Sequence, residues 1–195
     1  MARLKYIKGI KDTSLLRLGI SEGEETVAYT VTQTVYSALG RPAVDSELDT
    51  YAMDEIHLAD ETRRAEKKAL SLLAFSDNSE RALVRKLCER GFRRSVAEEI
   101  GREMVGLGYV REDDQIRRLA LSLANTSQRG PMKIIPYLVG KGYSSGDVKR
   151  VLTELQHDGE IDFDLVKERI LKKHGVDPEN IEDVRRLLYK YGFKV

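Results

Sequence analysis

Apolar positions alternate through the first sixty residues and recur every three to four positions from there on. Leu16, Leu18 and Ile20, then Val27, Tyr29 and Val31, read as two strands joined by Ser21-Glu22-Gly23-Glu24. With Leu4 to Ile10 they predict a small antiparallel sheet of three strands. A short helix is predicted over Gln33 to Leu39, ended by Gly40, and another begins near Asp49.

The helical part repeats itself. Leu87-Cys88-Glu89-Arg90-Gly91-Phe92, Leu138-Val139-Gly140-Lys141-Gly142-Tyr143 and Leu188-Tyr189-Lys190-Tyr191-Gly192-Phe193 are spaced by 51 and 50 residues. Four residues before each shared glycine stand Leu87, Leu138 and Leu188, and eight before stand Leu83, Ile134 and Val184, one stripe of a helix. Leu107-Gly108-Tyr109-Val110 and Asp158-Gly159-Glu160-Ile161 mark a second landmark, again 51 apart. Each unit resolves into three helices. The first has Glu61 to Phe75, Glu80 to Arg90 after the capping turn Asp77-Asn78-Ser79, and Ser95 to Leu107 with Val96, Ile100, Met104 and Leu107 on its inner face. In the second, a helix over Asp114 to Thr126 is followed by one that starts at Gly130-Pro131 and is interrupted by Pro136, then by Ser145 to His157. The third has Phe163 to His174 and Asn180 to Tyr191 and stops short of a third helix, which leaves Leu187, Leu188 and Phe193 as candidates for exposure.

The fold class predicted is therefore mainly α: tandem three-helix, helix-turn-helix-like repeats in an elongated array, with a small N-terminal antiparallel β-sheet or hairpin appendage. The expected divisions are 1–60 for the β-rich region with short helices, 61–111 and 112–161 for two full repeats, and 162–195 for an incomplete one.

Composition changes this picture little, and charge changes it more. No apolar run is long enough to span a bilayer, the amino terminus lacks an export signal, and Cys88 is the sole cysteine, so a reducing cytoplasmic setting without disulfides is expected. The net charge of +1 conceals an asymmetry. Residues 1–60 carry −4, residues 61–150 carry +7 from 19 basic and 12 acidic side chains, and the last 45 carry −2. A basic middle suits a polyanion or an acidic protein surface, and equally a solvated set of helix faces.

Catalysis finds no foothold in the pattern. His57, His157 and His174 stand apart, with no spacing that puts two imidazoles on one helical face. Gly140-Lys141-Gly142 is read as a helix C-cap, not a phosphate loop, and Asp113-Asp114 as N-terminal helix carboxylates. Cys88, beside Leu87, is read as a packing residue. No catalytic residue, metal or cofactor is expected.

What remains is basic surface. Arg81, Arg85, Lys86, Arg90, Arg93 and Arg94 gather on the second helix of the first unit and the turn after it, and Lys133, Lys141, Lys149 and Arg150 occupy related places in the second. Second and third helices of such a unit resemble a helix-turn-helix, so a DNA-binding transcriptional regulator is one available reading. The stretches Leu83 to Phe92, Gly108 to Asp114 and Gly130 to Tyr143, taken in order, resemble the successive signatures of the RecX family from about Glu61 to the end. The segment Tyr36 to Gly40 and the strands before it are similar to the hairpin-bearing extension of many members. The resemblance implies a nonenzymatic, monomeric regulator that lodges in the groove of a RecA filament on single-stranded DNA and restrains ATP hydrolysis, strand exchange and filament growth. It also implies some affinity for single-stranded and, more weakly, double-stranded DNA. By motif position Lys86, Arg90, Lys133 and Lys141 become the leading contacts, with Arg85, Arg93 and Arg94 beside them. The chain departs from the pattern in the segment from Gln115 to Ala120, which lacks the usual aromatic residue, and in the missing last helix.

Overall fold

The computed structural model describes residues 2–11 and 13–194. Its elements follow the order β1 (Ala2–Gly9), β2 (Leu15–Glu22), β3 (Glu25–Thr32), α1 (Gln33–Ala38), β4 (Glu47–Leu48), α2 (Thr50–Phe75), α3 (Glu80–Cys88) and α4 (Arg94–Gly106). Then come α5 (Glu112–Leu121), a π-helical turn (Ser122–Thr126), α6 (Pro131–Gly140), α7 (Ser145–His157), α8 (Phe163–His174) and α9 (Ile181–Tyr191). The chain divides into two units. One comprises residues up to Leu72 together with Lys86–Ile100, and the other Leu73–Arg85 together with Gly101 onward.

In the first unit the sheet is antiparallel with strand order β3-β2-β1-β4. The alternation seen in the sequence sends Leu4, Leu18, Ile20 and Val31 inward, where α2 meets them with Met53 and Ile56. The fourth strand has no sequence signal: two residues carry no period, and only pairing of Ala2 and Arg3 with Leu48 and Glu47 defines it. Helix α2 is also longer than predicted. Asp49 caps it by accepting the Ala52 amide at 2.8 Å, and no glycine or proline interrupts the chain before Phe75, so the helix that begins near Asp49 and the one predicted over Glu61 to Phe75 are continuous. Its Asp60, buried, accepts the edge-strand amide of Thr30 at 2.8 Å and pairs with Arg64 at 2.8 Å. One donor on the exposed edge of the sheet is thereby occupied.

Next along α2, Glu61 accepts from both the backbone amide (2.6 Å) and the Nε (2.5 Å) of Arg93, the residue just ahead of α4. Burial alone would raise the Glu61 pKa, but these two hydrogen bonds and the adjacent guanidinium outweigh it and hold the carboxyl below its usual range. A carboxylate depressed in the folded state stabilises the fold above its unfolded pKa, and that contribution is lost as pH falls through the lower, folded value. Glu61→Gln is therefore expected to lose about 1–3 kcal/mol at neutral pH and to lose less than the native chain on further acidification. Urea unfolding at neutral and acid pH checks both, and parallel pH profiles for the two proteins would contradict the assignment.

The second unit shows what the repeated sequence motif is for. At Gly142 and Gly192 the backbone is left-handed (φ 103° and 93°). The amide of the following aromatic residue reaches back to the leucine five positions earlier, Tyr143 to Leu138 at 3.3 Å and Phe193 to Leu188 at 3.0 Å. Gly91 in the first unit repeats this, with the Phe92 amide on Leu87 at 3.4 Å. All three are Schellman caps, which need a residue free of a Cβ penalty at the reversal and an apolar residue after it. At Gly142 the requirement is double, since an added Cβ would stand 2.5 Å from Ser79 Oγ.

The second landmark is the same device with a further bond. Tyr109 and Val110 amides both reach the Met104 carbonyl, and Glu160 and Ile161 amides both reach that of Leu155. Here one expectation fails. Leu107 lies beyond the last residue of α4 and stays 61% exposed, while Val110, folded back by that double bond, is buried. Cys88, expected on the buried stripe, is only half-buried.

The remaining core joins α5 to α9 through Ile116, Ile134, Leu138, Val151, Leu155, Phe163, Ile170 and Leu188. Two further corrections fall here. Helix α6 runs unbroken from Pro131 to Gly140 although Pro136 lies inside it, because that residue is exposed and so is Met132, whose carbonyl loses its helical donor. The end of the chain is also covered: Leu188 and Phe193 are buried, and Leu187 is half-buried against the same core. Phe193 meets Phe163 edge-on at 5.7 Å, and the carbonyls of Tyr191 and Gly192 accept the amides of Gly130 and Met132 at 2.8 and 3.0 Å. The last described turn thus packs on the start of α6.

Candidate functional site

In the first unit, α2 and the turn after α3 enclose an open groove of about 470 Å³ lined by Arg64, Lys67, Lys68, Ser71, Arg90 and Phe92. Four of its six residues are cationic and none is acidic. Helix geometry explains the arrangement on α2: Arg64, Lys67, Lys68 and Ser71 recur at i, i+3, i+4 and i+7 and so share a face. Arg90 arrives from the other side because Gly91 reverses the chain just after it, and Phe92 supplies an apolar wall. Arg64 is held by Asp60, and Arg90 donates to the Lys86 carbonyl at 2.7 Å, whereas Lys67 and Lys68 have no carboxylate partner among the described residues. A concave surface with unneutralised ammonium groups and an aromatic wall attracts phosphate oxygens or clustered carboxylates.

The basic residues singled out by sequence fall into distinct states. Arg93 is committed to Glu61, and Arg94 pairs with Glu98 at 2.7 Å, its guanidinium pKa raised by that hydrogen bond. Arg150 is spread over Asp113 (2.6 Å), Glu154 (3.0 Å) and Asp147 (3.4 Å), and its pKa is likewise raised, by Asp113 first. These three arginines hold turns and helices in place, and their charge is largely answered within the chain. Arg85 and Lys86 stand on α3, Arg85 exposed and Lys86 half-buried. Lys133, Lys141 and Lys149 are exposed on α6, on the residue capping α6 and on α7, with no carboxylate partner among the described residues. Of the predicted set, only Arg90 lines the groove. Arg64, Lys67 and Lys68 escape a reading of the sequence because they sit on α2, and nothing local says that α2 faces the Gly91 turn.

A compact set of titratable groups elsewhere is Glu22, Tyr29 and His57. Tyr29 donates to Glu22 Oε1 at 2.5 Å, and His57 Nε2 lies 3.1 Å from the same hydroxyl. Burial first, then the Glu22 carboxylate, push the Tyr29 pKa up to about 12, so the hydroxyl stays protonated and pins the hairpin tip to α2. Among the described residues no group of three or more His, Cys, Asp or Glu side chains is placed to hold a metal ion, and no helix is long and apolar enough to cross a membrane.

Helical stretches closed by Schellman-type caps follow a small antiparallel sheet, and that fold resembles the one solved for regulatory protein RecX. All of this chain aligns with 95% of a chain in a crystal structure of regulatory protein RecX, at a TM-score of 0.71 and 20% sequence identity. A crystal structure of RecX from Lactobacillus salivarius aligns over 70% of this chain and 90% of its own, at a TM-score of 0.60 and 18% identity. No family model and no curated protein sequence matches the chain. The likeness is one of fold, and it spans the sheet as well as the helices.

Proposed function

We propose that this protein is a regulator that binds the RecA recombinase filament on single-stranded DNA and restrains its ATP hydrolysis, strand exchange and extension. The alignment of the whole chain with regulatory protein RecX carries the reading. The basic groove supports it, because a filament wound on DNA carries the phosphates that such a surface attracts. On this reading the protein acts in the cytoplasm without chemistry of its own. Its contacts are Lys67, Lys68, Lys86 and Arg90 in one unit and Arg85, Lys133, Lys141 and Lys149 in the other, while Arg93, Arg94 and Arg150 shape the surfaces that carry them.

Sedimentation with preformed RecA filaments tests this. The native chain is expected in the pellet with filaments on single-stranded DNA, and release should follow rising salt. Reversing charge at Lys67 and Lys68 should leave much of the protein in the supernatant. Native protein that stays in the supernatant at low salt would overturn the proposal.

A further inference from the structure

In the second unit, α6 and the turn before it carry Arg129, Lys133, Tyr137 and Lys141 at intervals of four along the chain. From Gln115 to Gly146 there are five cations and no carboxylate. Two of those cations are already occupied: Arg117 binds Glu160, and Arg118 binds Asp77 at 2.7 Å. Arg129, Lys133 and Lys141 have no carboxylate partner among the described residues. Instead, the Arg129 guanidinium lies 5.4 Å and the Lys141 ammonium 5.3 Å from the centroid of the Tyr137 ring. Tyr137 keeps 40% of its surface open to solvent.

The backbone fixes this cluster. The π-helical turn Ser122–Thr126 inserts extra chain ahead of α6, and Gln128 then takes a left-handed conformation at φ 53°, uncommon for a residue with a side chain. The Arg129 amide is tied back to the Leu123 carbonyl at 2.9 Å, and the next amide, of Gly130, to Tyr191 at 2.8 Å. Arg129 is thus placed beside the ring by two consecutive backbone bonds.

One cation over an aromatic face is common and needs no ligand. Two cations on one exposed ring, with no carboxylate in the surrounding stretch, repel each other and leave both unanswered. An anion carrying a flat π-system relieves that repulsion and uses the ring as well. We infer that Tyr137, Arg129 and Lys141 form a station for one nucleotide of single-stranded DNA, the ring stacking on the base and the two cations holding the phosphates on either side. Single strands fit because their bases are free to stack, and stacking on a ring face is tolerant of sequence because every base has a π-face. The inference rests on the proposed function for the identity of the strand, while the ring and its cations are independent of it.

The test uses the full chain, a fluorescein-labelled oligothymidine and no RecA. Tyr137→Ala is expected to weaken binding about 5- to 150-fold, the range for loss of one stacked base, and Tyr137→Phe to bind as the native chain does. Exchanging Arg129 and Lys141 for glutamine should make the salt dependence shallower, by about 0.7 in slope for each phosphate of the single strand that is no longer neutralised. Circular dichroism of each variant controls for folding, and Tyr137→Phe separates loss of the ring from loss of the hydroxyl. Unchanged binding by a folded Tyr137→Ala protein would overturn the station, and tighter binding of duplex DNA or of oligouridine would overturn the ligand. Because RecA is absent, failure here with filament binding intact removes the station alone. Oligonucleotide binding that depends on Tyr137, with no filament binding, would instead remove the proposed function.

Discussion

Leu138→Ala is expected to destabilise the protein by about 2–5 kcal/mol, the range for deleting a fully enclosed leucine side chain. Leu138 is fully buried in α6 and shares its core with Ile134, Tyr143, Val148 and Leu155. It also sits at the hinge of the Schellman cap, since its carbonyl accepts the amides of Lys141 at 3.0 Å and Tyr143 at 3.3 Å. Truncation leaves a cavity beside the turn that returns Tyr143 to the core, where the Tyr143 hydroxyl donates to buried Gln115 at 2.8 Å. Relaxation into that cavity is opposed on both sides, by the cap and by the polar bond, so the upper part of the range is expected. Val139→Ala, one position along and 39% exposed, should change stability by no more than about 0.5 kcal/mol. Urea unfolding of the two variants measures the contrast, and equal losses would mean that the repeated leucine does not mark the buried stripe.

That leucine is legible in the sequence for a physical reason. A Schellman cap needs glycine at one position, an apolar residue after it and an apolar partner before it, so each occurrence writes the same few letters at the same offsets. The elements whose geometry is local, α7 and α8 among them, start and stop where Ser144, Asp162 and Gly175 say they should. Pattern fails where the deciding contact comes from elsewhere. Leu107 fits the helical period of Val96, Ile100 and Met104, yet the chain has already turned to put Val110 inside. Phe193 reads as a candidate for exposure only because its partners, Phe163 and the start of α6, lie about thirty to sixty residues earlier. Pro136 sits in a helix that tolerates it on an exposed face, which its neighbours in sequence do not reveal.

The candidate site divides along the same line. Basic character in the middle of the chain is visible as a sum, but its distribution between structural and available charge is not. Arg93 and Arg150 look like surface cations in the sequence and prove to be bound to Glu61 and to Asp113, Asp147 and Glu154. Lys67 and Lys68 look like an ordinary helix face and line the groove. Tyr137 has no distinguishing mark beside Pro136, and only the approach of Arg129 and Lys141 gives it a use.

The second large effect is functional. RecA hydrolyses ATP when it polymerises on single-stranded DNA, so a protein that lodges on the filament and limits its extension must lower the rate measured per RecA protomer. The effect should appear at amounts of the protein well below those of RecA if filament growth is the step restrained, and only near equal amounts if each protomer must be covered. Salt should weaken it, because the surfaces proposed to meet the filament are rich in exposed lysine. The measurement that tests this function most directly is therefore the steady-state ATP hydrolysis of RecA from the same source on single-stranded DNA, titrated with the native chain and with the Lys67, Lys68 charge-reversed variant. The rate is predicted to fall steeply with the native chain and much less with the variant. An unchanged rate with the native chain in excess over RecA protomers would contradict the proposed function.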